Sequence, residues 1–489
     1  MRYILGIDQS TQGTKAALFD ETGRVAAEGR RKHRQIVTAE GYIEHDPAEI
    51  MTQTAAAVRE ALESGGIAPG SVLAIGLCDQ RETVVAWDRR TGKPLTNAVV
   101  WQCGRAQALC RAIAEPDAAY VRQTTGLPLS PYFSAAKMAW LLRRCPAVQE
   151  AAQRGTLCLG TVDAWLLFCL TEGRTFATDV SNASRTQLMD LLHTHWDPRL
   201  LALFGIPPEA LPEIRCSDDL FGTTTLGGLF PQGVPIRAVM GDSHAALYGA
   251  GCGREGMAKA TYGTGSSVML FTGRQPVVSR HGLAATVAWG RNGQTYYGLE
   301  GNVNYAGAVI EWLIHRAGLL ASAGEAETLA RQADPADGTV FVPAFTGLGA
   351  PHWAPEMRAA IVGMGSTTGR AEIVRAAVDS IAYQVTDVLR AMAEDVGQPV
   401  AQLFCDGGAV RNGYLMQRQS ELLRSVIRVA ENQDGSCAGA AKMAGEAAGL
   451  YGGDTVFGAW QREYRPQHSA AWTEAAYDRW QKAVIQIKG

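Results

Sequence analysis

Three short segments of this 489-residue chain combine small residues, hydroxyls and charge in a pattern that suits a phosphate chain. The first, Asp8-Gln9-Ser10-Thr11-Gln12-Gly13-Thr14-Lys15, offers backbone N–H groups freed by small residues, the hydroxyls of Thr11 and Thr14, and the Lys15 ammonium. Asp8 adds one carboxylate, and a hydrated Mg²⁺ takes only one or two because it keeps most of its waters. Roughly 250 residues later, Thr261-Tyr262-Gly263-Thr264-Gly265-Ser266-Ser267 makes a similar offer. A third segment, Asp406-Gly407-Gly408-Ala409-Val410-Arg411-Asn412, precedes a helical stretch over Tyr414–Leu423. Glycines there let a flat ring or ribose lie against backbone at a helix start. Taken alone, the first segment reads more readily as a plain β-turn, and a strand-to-helix turn explains the glycines of the third equally well.

The flanking residues say which elements carry these turns. Apolar runs enter the first turn from Tyr3 and leave it through Phe19, which predicts a β-hairpin, and the runs around Thr261–Ser267 predict another. One hairpin opening each half points to internal duplication. Strand-like Leu73–Cys78 and Val84–Trp87 alternate with helical stretches such as Ala135–Leu142. Ile373, Ala377, Ile381, Val385, Val388, Leu389 and Met392 recur at helical spacing and predict a helix over Glu372–Glu394. The mixture predicts an α/β architecture. The chain is long for a single core, so at least two domains are expected, with a crossover near 245–256 and no low-complexity linker between them.

Composition narrows the class. Hydrophobic residues make up 47% and charged residues 19%, which is a globular balance. A formal net charge of -3 gives no global positive field, so neither nucleic acid nor membrane is expected as a partner. The ten cysteines include no C-x-x-C pair and read as free thiols of a reducing compartment. Asp8 comes too early for a signal peptide, and no apolar run nears the ~18 residues of a membrane span. A cytoplasmic protein is therefore expected.

Longer motifs carry a family resemblance. Tyr132-Phe133-Ser134-Ala135-Ala136-Lys137-Met138-Ala139-Trp140-Leu141, and the stretch from Ala359-Ala360-Ile361-Val362-Gly363-Met364 to Glu372-Ile373-Val374-Arg375-Ala376-Ala377-Val378-Asp379, resemble the two signatures of the FGGY carbohydrate kinases. Asp79-Gln80-Arg81-Glu82-Thr83, Asn97–Cys103, Asn182-Ala183-Ser184-Arg185 and Val342–Pro351 are most similar to the glycerol kinases within that family. The motifs are in order and span nearly the whole chain.

The resemblance implies an actin-like ATPase fold of the ribonuclease H-like, sugar-kinase type. Two duplicated domains, 1–248 and 249–489, would flank a central cleft, with substrate on the first and nucleotide on the second. It implies ATP and Mg²⁺ as cofactors, a small uncharged sugar or polyol as substrate, and a homodimer or homotetramer. Asp242 falls at the catalytic-base position, where a carboxylate orients an alcohol and accepts its proton. Arg81, Glu82, Trp101 and Tyr132 match the substrate positions, and Asp8 the metal-side carboxylate. Thr11, Gly13, Thr14, Lys15, Thr264, Gly265, Gly307, Gly408 and Asn412 match phosphate and nucleotide positions.

Two substrate-pocket positions depart from the glycerol-kinase pattern: Ser243 stands where Gln is usual and Ser267 where Phe is usual. An aromatic ring buries about 150–250 Å², so serine should open that end and make it polar. Phosphoryl transfer to a primary hydroxyl of a four- or five-carbon polyol or ketose such as xylulose is therefore expected, with glycerol the alternative. Against xylulose, Arg81–Glu82 is a glycerol-kinase pairing. An actin-like nucleotide switch is the reading from another class. Leu226–Pro231, which matches the loop that binds fructose bisphosphate in regulated relatives, has no cation for a phosphate.

Overall fold

The computed structural model describes residues 1–430, 435–452, 455, 457 and 460–488. Two mixed sheets organise them. The first contains β1 (Tyr3–Ser10), β2 (Gly13–Phe19), β3 (Val25–Lys32), β4 (Val72–Asp79), β5 (Gly222–Thr224) and β6 (Val234–Gly241), in the order β5-β6-β4-β1-β2-β3. The second contains β7 (Met257–Tyr262), β8 (Ser266–Gly273), β9 (Ala284–Arg291), β10 (Gln294–Val303), β11 (Gln402–Asp406), β12 (Val426–Ala430) and β13 (Trp460–Tyr464), in the order β9-β10-β8-β7-β11-β12-β13.

The duplication is plain in the pairing. Each sheet starts with an antiparallel hairpin, β1–β2 or β7–β8, and adds a third strand, β3 or β10, antiparallel to the second. The chain then returns to lay β4 or β11 parallel to the first strand, and β6 or β12 parallel to that one. Ile4, Leu5 and Ile7 of β1 are fully buried, as expected of a strand covered on both faces. The helices that matter to the site are α1 (Pro47–Gly65), α2 (Ser134–Arg144), α3 (Asp242–Gly249), α4 (Arg370–Val396), α5 (Gly413–Leu423) and α6 (Gly435–Ala447). The long helix expected over Glu372–Glu394 is α4. Its start is fixed by Glu372 Oε2, which accepts the Gly369 N–H at 2.9 Å, and its end by left-handed Gly397.

The halves share packing. One buried cluster takes Ile4, Ala74 and Met240 from the first sheet, Met269, Trp289 and Phe404 from the second, and Cys437, Ala440 and Ala444 from α6. Helix α6 thus lies in sequence between β12 and β13 of the second sheet but packs on the first. This arrangement sets the carboxyl ends of the parallel strands together: Asp79 pairs with both Gln9 and Gly241, so β1, β4 and β6 end abreast. In the second sheet Thr261 pairs with Asp406, so β7 and β11 end abreast as well. Ligands of open α/β sheets bind outside such ends. Among the described residues no helix is long and apolar enough to cross a membrane.

Candidate active site

Strand β6 ends at Gly241, and Asp242 opens α3 with 35% of its side chain exposed. Arg81, in the loop after β4, is buried and donates Nε to Asp242 Oδ1 at 2.8 Å. The Ser243 N–H donates to the same oxygen at 2.6 Å, so two donors orient the carboxylate and Oδ2 stays outside both bonds. Such a group is placed to hold an alcohol and accept its proton.

Behind it charges alternate. Arg81 Nη1 and Nη2 donate to Glu300 Oε2 and Oε1, both at 2.8 Å, and Nη2 also reaches Ser243 Oγ at 2.9 Å. Arg185 Nη2 lies 2.8 Å from Glu300 Oε2, and its Nε donates to Glu82 Oε1 at 2.7 Å. Glu300 belongs to β10, so this planar, bidentate pairing ties the second half to the first. Burial would raise the Glu300 carboxyl, but the guanidiniums of Arg185 and Arg81 hold it far below the usual range. For Glu82 burial prevails over Arg185 and Arg81, and its carboxyl is shifted up. Ser267 Oγ donates to Glu300 Oε1 at 3.1 Å and lies 3.3 Å from Ser243 Oγ, so the two serines form a small polar floor beside Arg81.

An aromatic wall closes another side. The Trp101 and Tyr132 rings are 5.5 Å apart, and Trp101 Nε1 donates to Thr11 Oγ1 at 3.0 Å, which links the wall to the first turn. Lys137 of α2 braces the loop that carries Tyr132. Its ammonium donates to the carbonyls of Pro131 at 3.1 Å and Phe133 at 2.8 Å, and to that of Tyr132. Burial pulls the Lys137 amine down to about 7.

In the second half a cavity of about 610 Å³ has room for a nucleoside-sized ligand. It brings together Thr264, Gly307, Gly408 and Asn412, with Ile310, Val378, Ile381 and Leu415 as apolar wall. Gly407 has φ 96°, and a Cβ on it would stand 2.5 Å from the Tyr262 carbonyl, so only glycine lets this turn lie against β7. Asn412 also has a local task, because its side chain accepts the Leu415 N–H at 3.0 Å and caps α5. Gly265 is pressed against β10, where a Cβ would meet the Val303 carbonyl at 2.5 Å.

Other candidate residues have partners within the protein. The Thr14 hydroxyl is buried 3.1 Å from Thr54 Oγ1 of α1, and Lys15 Nζ is taken up by Glu28 of β3 at 2.9 Å. Alternation along β2 sends successive side chains to opposite faces, so neither stands out at the turn. The first segment therefore offers Thr11 and backbone. Gly13 is required by β3, since a Cβ would meet the Arg31 carbonyl at 2.3 Å. Asp8 sits partly buried near the end of β1, beside Cys78 of β4. Arg81 and Glu82 are both buried, and each has a partner of its own, Glu300 and Arg185. His244 is buried against Thr286 at 2.9 Å, and burial drives its imidazole well below the ordinary range, which makes it structural. Sequence reasoning assigns no site role to Glu300, and it meets Arg185 only as the last residue of a family motif. The signal for Glu300 is an acid inside an apolar strand, Tyr297-Gly298-Leu299-Glu300-Gly301.

Comparison with known proteins places this geometry. The model of the FGGY family of carbohydrate kinases, N-terminal domain, matches residues 3–249, and that of the C-terminal domain matches 258–448. A glycerol kinase of Francisella tularensis subsp. novicida is 42% identical over 99% of this chain and 98% of its own. One from Alkalilimnicola ehrlichii is 43% identical over 100% and 99%. Among solved structures, Plasmodium falciparum glycerol kinase with ADP superposes with a TM-score of 0.93 at 34% identity, covering 100% of this chain and 98% of that one. A Lactobacillus acidophilus xylulose kinase, at TM-score 0.88 and 22% identity over 100% and 98%, shares the two-domain fold. Matched in both halves and aligned end to end with such relatives, the chain belongs to the FGGY family of carbohydrate kinases, phosphotransferases whose acceptor is an alcohol group.

Proposed function

We propose that this kinase transfers the γ-phosphoryl group of ATP to a primary hydroxyl of a small polyol, with glycerol the leading substrate. The observation that carries the reading is the Arg81–Asp242 pair at 2.8 Å, which aims a partly exposed carboxylate at the carboxyl edge of the first sheet. Asp242 acts as base, and Arg81, Glu82, Trp101 and Tyr132 hold the polyol between charge and an apolar wall. The second-half cavity takes the nucleotide, with Thr264, Gly307, Gly408 and Asn412 against it. Thr11 and the backbone of its turn receive phosphate. Asp8 is a single carboxylate near the same strand ends, the donor number that a hydrated Mg²⁺ accepts. The bound ion would neutralise phosphate charge during transfer. Residues 1–248 form the substrate domain and 249–489 the nucleotide domain, and a cytoplasmic setting suits ten free cysteines.

The relatives at 42–43% identity named as glycerol kinases favour glycerol over the xylulose expected from the two serines. A longer polyol keeps one supporting observation: Ser243 and Ser267 lie side by side, 3.3 Å between hydroxyls, where bulkier residues are usual in glycerol kinases. The deciding experiment follows ADP release with glycerol, erythritol, ribitol, xylulose and ribulose, each with ATP and Mg²⁺. Glycerol should give the highest kcat/KM. A preference for erythritol or ribitol moves the assignment to the longer polyol, and no acceleration by any of them ends it.

A further inference from the structure

The loop that follows Arg185 holds a group of side chains the phosphotransfer site does not use. Asp190, His193 and His195 each present a ligand atom within 4.8 Å of the other two. The loop is tightly closed: the Asp190 N–H donates to the His195 carbonyl, and the Thr194 N–H to the Asp190 carbonyl, both at 2.9 Å. Met189 bridges to Trp196, and Met189 and Leu191 are buried in the second-half core. Both neighbours of Asp190 are thus anchored while its carboxylate and the two imidazoles face outward.

The hydrogen bonds leave suitable lone pairs. Asp190 Oδ1 accepts the N–H groups of Leu192 at 2.8 Å and His193 at 2.9 Å, while Oδ2 stands 3.1 Å from His193 Nδ1. His195 Nδ1 lies 3.1 Å from the Trp196 carbonyl, so the proton belongs on Nδ1 and Nε2 is the nitrogen left to bind. A tetrahedral zinc ion with bonds of about 2.0–2.1 Å sets its donors about 3.4 Å apart. Asp190 Oδ2 and His193 Nδ1 are near that spacing, and the ligand atoms of all three residues lie within 4.8 Å of one another, with both imidazoles exposed.

We infer that Asp190, His193 and His195 form a binding site for one zinc-type divalent transition ion at the surface where the first-half loop meets the second-half core. Three protein ligands leave a coordination position to water. Imidazole nitrogen and a single carboxylate favour such an ion over Mg²⁺, which asks for oxygen. None of the three residues belongs to the proposed phosphotransfer machinery, so the site and that reading stand or fall separately.

The test is calorimetric titration of the chelator-stripped full chain with ZnCl₂. One ion per chain should bind, His195→Ala and Asp190→Asn should each weaken it by about 10–100-fold, and His193→Ala/His195→Ala should abolish it. Excess MgCl₂ should not compete. ADP release by the zinc-free variants, assayed with ATP and MgCl₂, should match the parent, which shows that they are folded. The inference is overturned if the parent takes up no zinc, or if the double variant binds it as the parent does.

Discussion

Glu300→Gln tests whether the buried charge cluster depends on an acid donated by the opposite half. Glu300 accepts three guanidinium bonds at 2.8 Å and the Ser267 hydroxyl at 3.1 Å. Its buried company is Arg81, Arg185 and Glu82, with the partly exposed Asp242 on Arg81 Nε, so neutralising Glu300 leaves Arg81 to Asp242 and Arg185 to Glu82 but takes away the one fully buried carboxylate the two guanidiniums share. Glutamine keeps one carbonyl oxygen and turns an NH₂ toward a guanidinium. Removing one partner of a buried pair costs about 3–5 kcal/mol. For a domain of about 250 residues each kcal/mol moves Tm by about 2–4 °C, so calorimetry at pH 7.5 should show a loss of about 6–20 °C. The pH dependence has a definite sign. The folded carboxyl lies below its ordinary value of 4.5, so its contribution is complete above that value and declines as pH falls beneath it. The gap between parent and variant should stay constant from about pH 6 to 8 and narrow below about 4.5. A variant melting within about 2 °C of the parent would refute the reasoning.

Other substitutions probe the remaining parts. Asp242→Asn should lower kcat by about 10²–10⁴-fold while ADP binding, measured by calorimetry, changes little; near-parental turnover would remove Asp242 as the base. Ser267→Phe should shift the kcat/KM ratio of glycerol to erythritol toward glycerol, since a ring refills that end of the pocket, and an equal loss for both would defeat the size argument. Lys137→Met leaves the carbonyls of residues 131–133 without their donor and loosens the Tyr132 loop. The KM for polyol should rise with kcat nearly unchanged, and a pure kcat loss would contradict a positioning role. Because the folded Lys137 amine titrates at about 7 and the unfolded one near 10.5, the unfolded chain binds more protons between those values. The parent should therefore gain stability as pH rises through that window, a gain the variant lacks when Tm is compared at pH 7 and 9.

Local pattern determined much of this molecule. Alternation and small-residue turns give both opening hairpins, helical spacing gives α4, and the order of motifs gives the family, because each of these lies in a continuous stretch of chain. Asp242, Arg81, Trp101 and Tyr132 could be named as candidates for the same reason. Their partners could not. Glu300 meets Arg81 across 219 positions, which takes the packing of β10 against the first half, and Arg185 meets Glu82 across 103, which takes the folding of the first half on itself. Side-chain direction was likewise hidden at the first turn, where pairing with β3 and cover from α1 take Lys15 and Thr14 away from the place their sequence suggested. Sequence proximity supplied the turn, whereas tertiary packing decided which of its side chains remain at it, since a buried polar group goes to the partner that satisfies it.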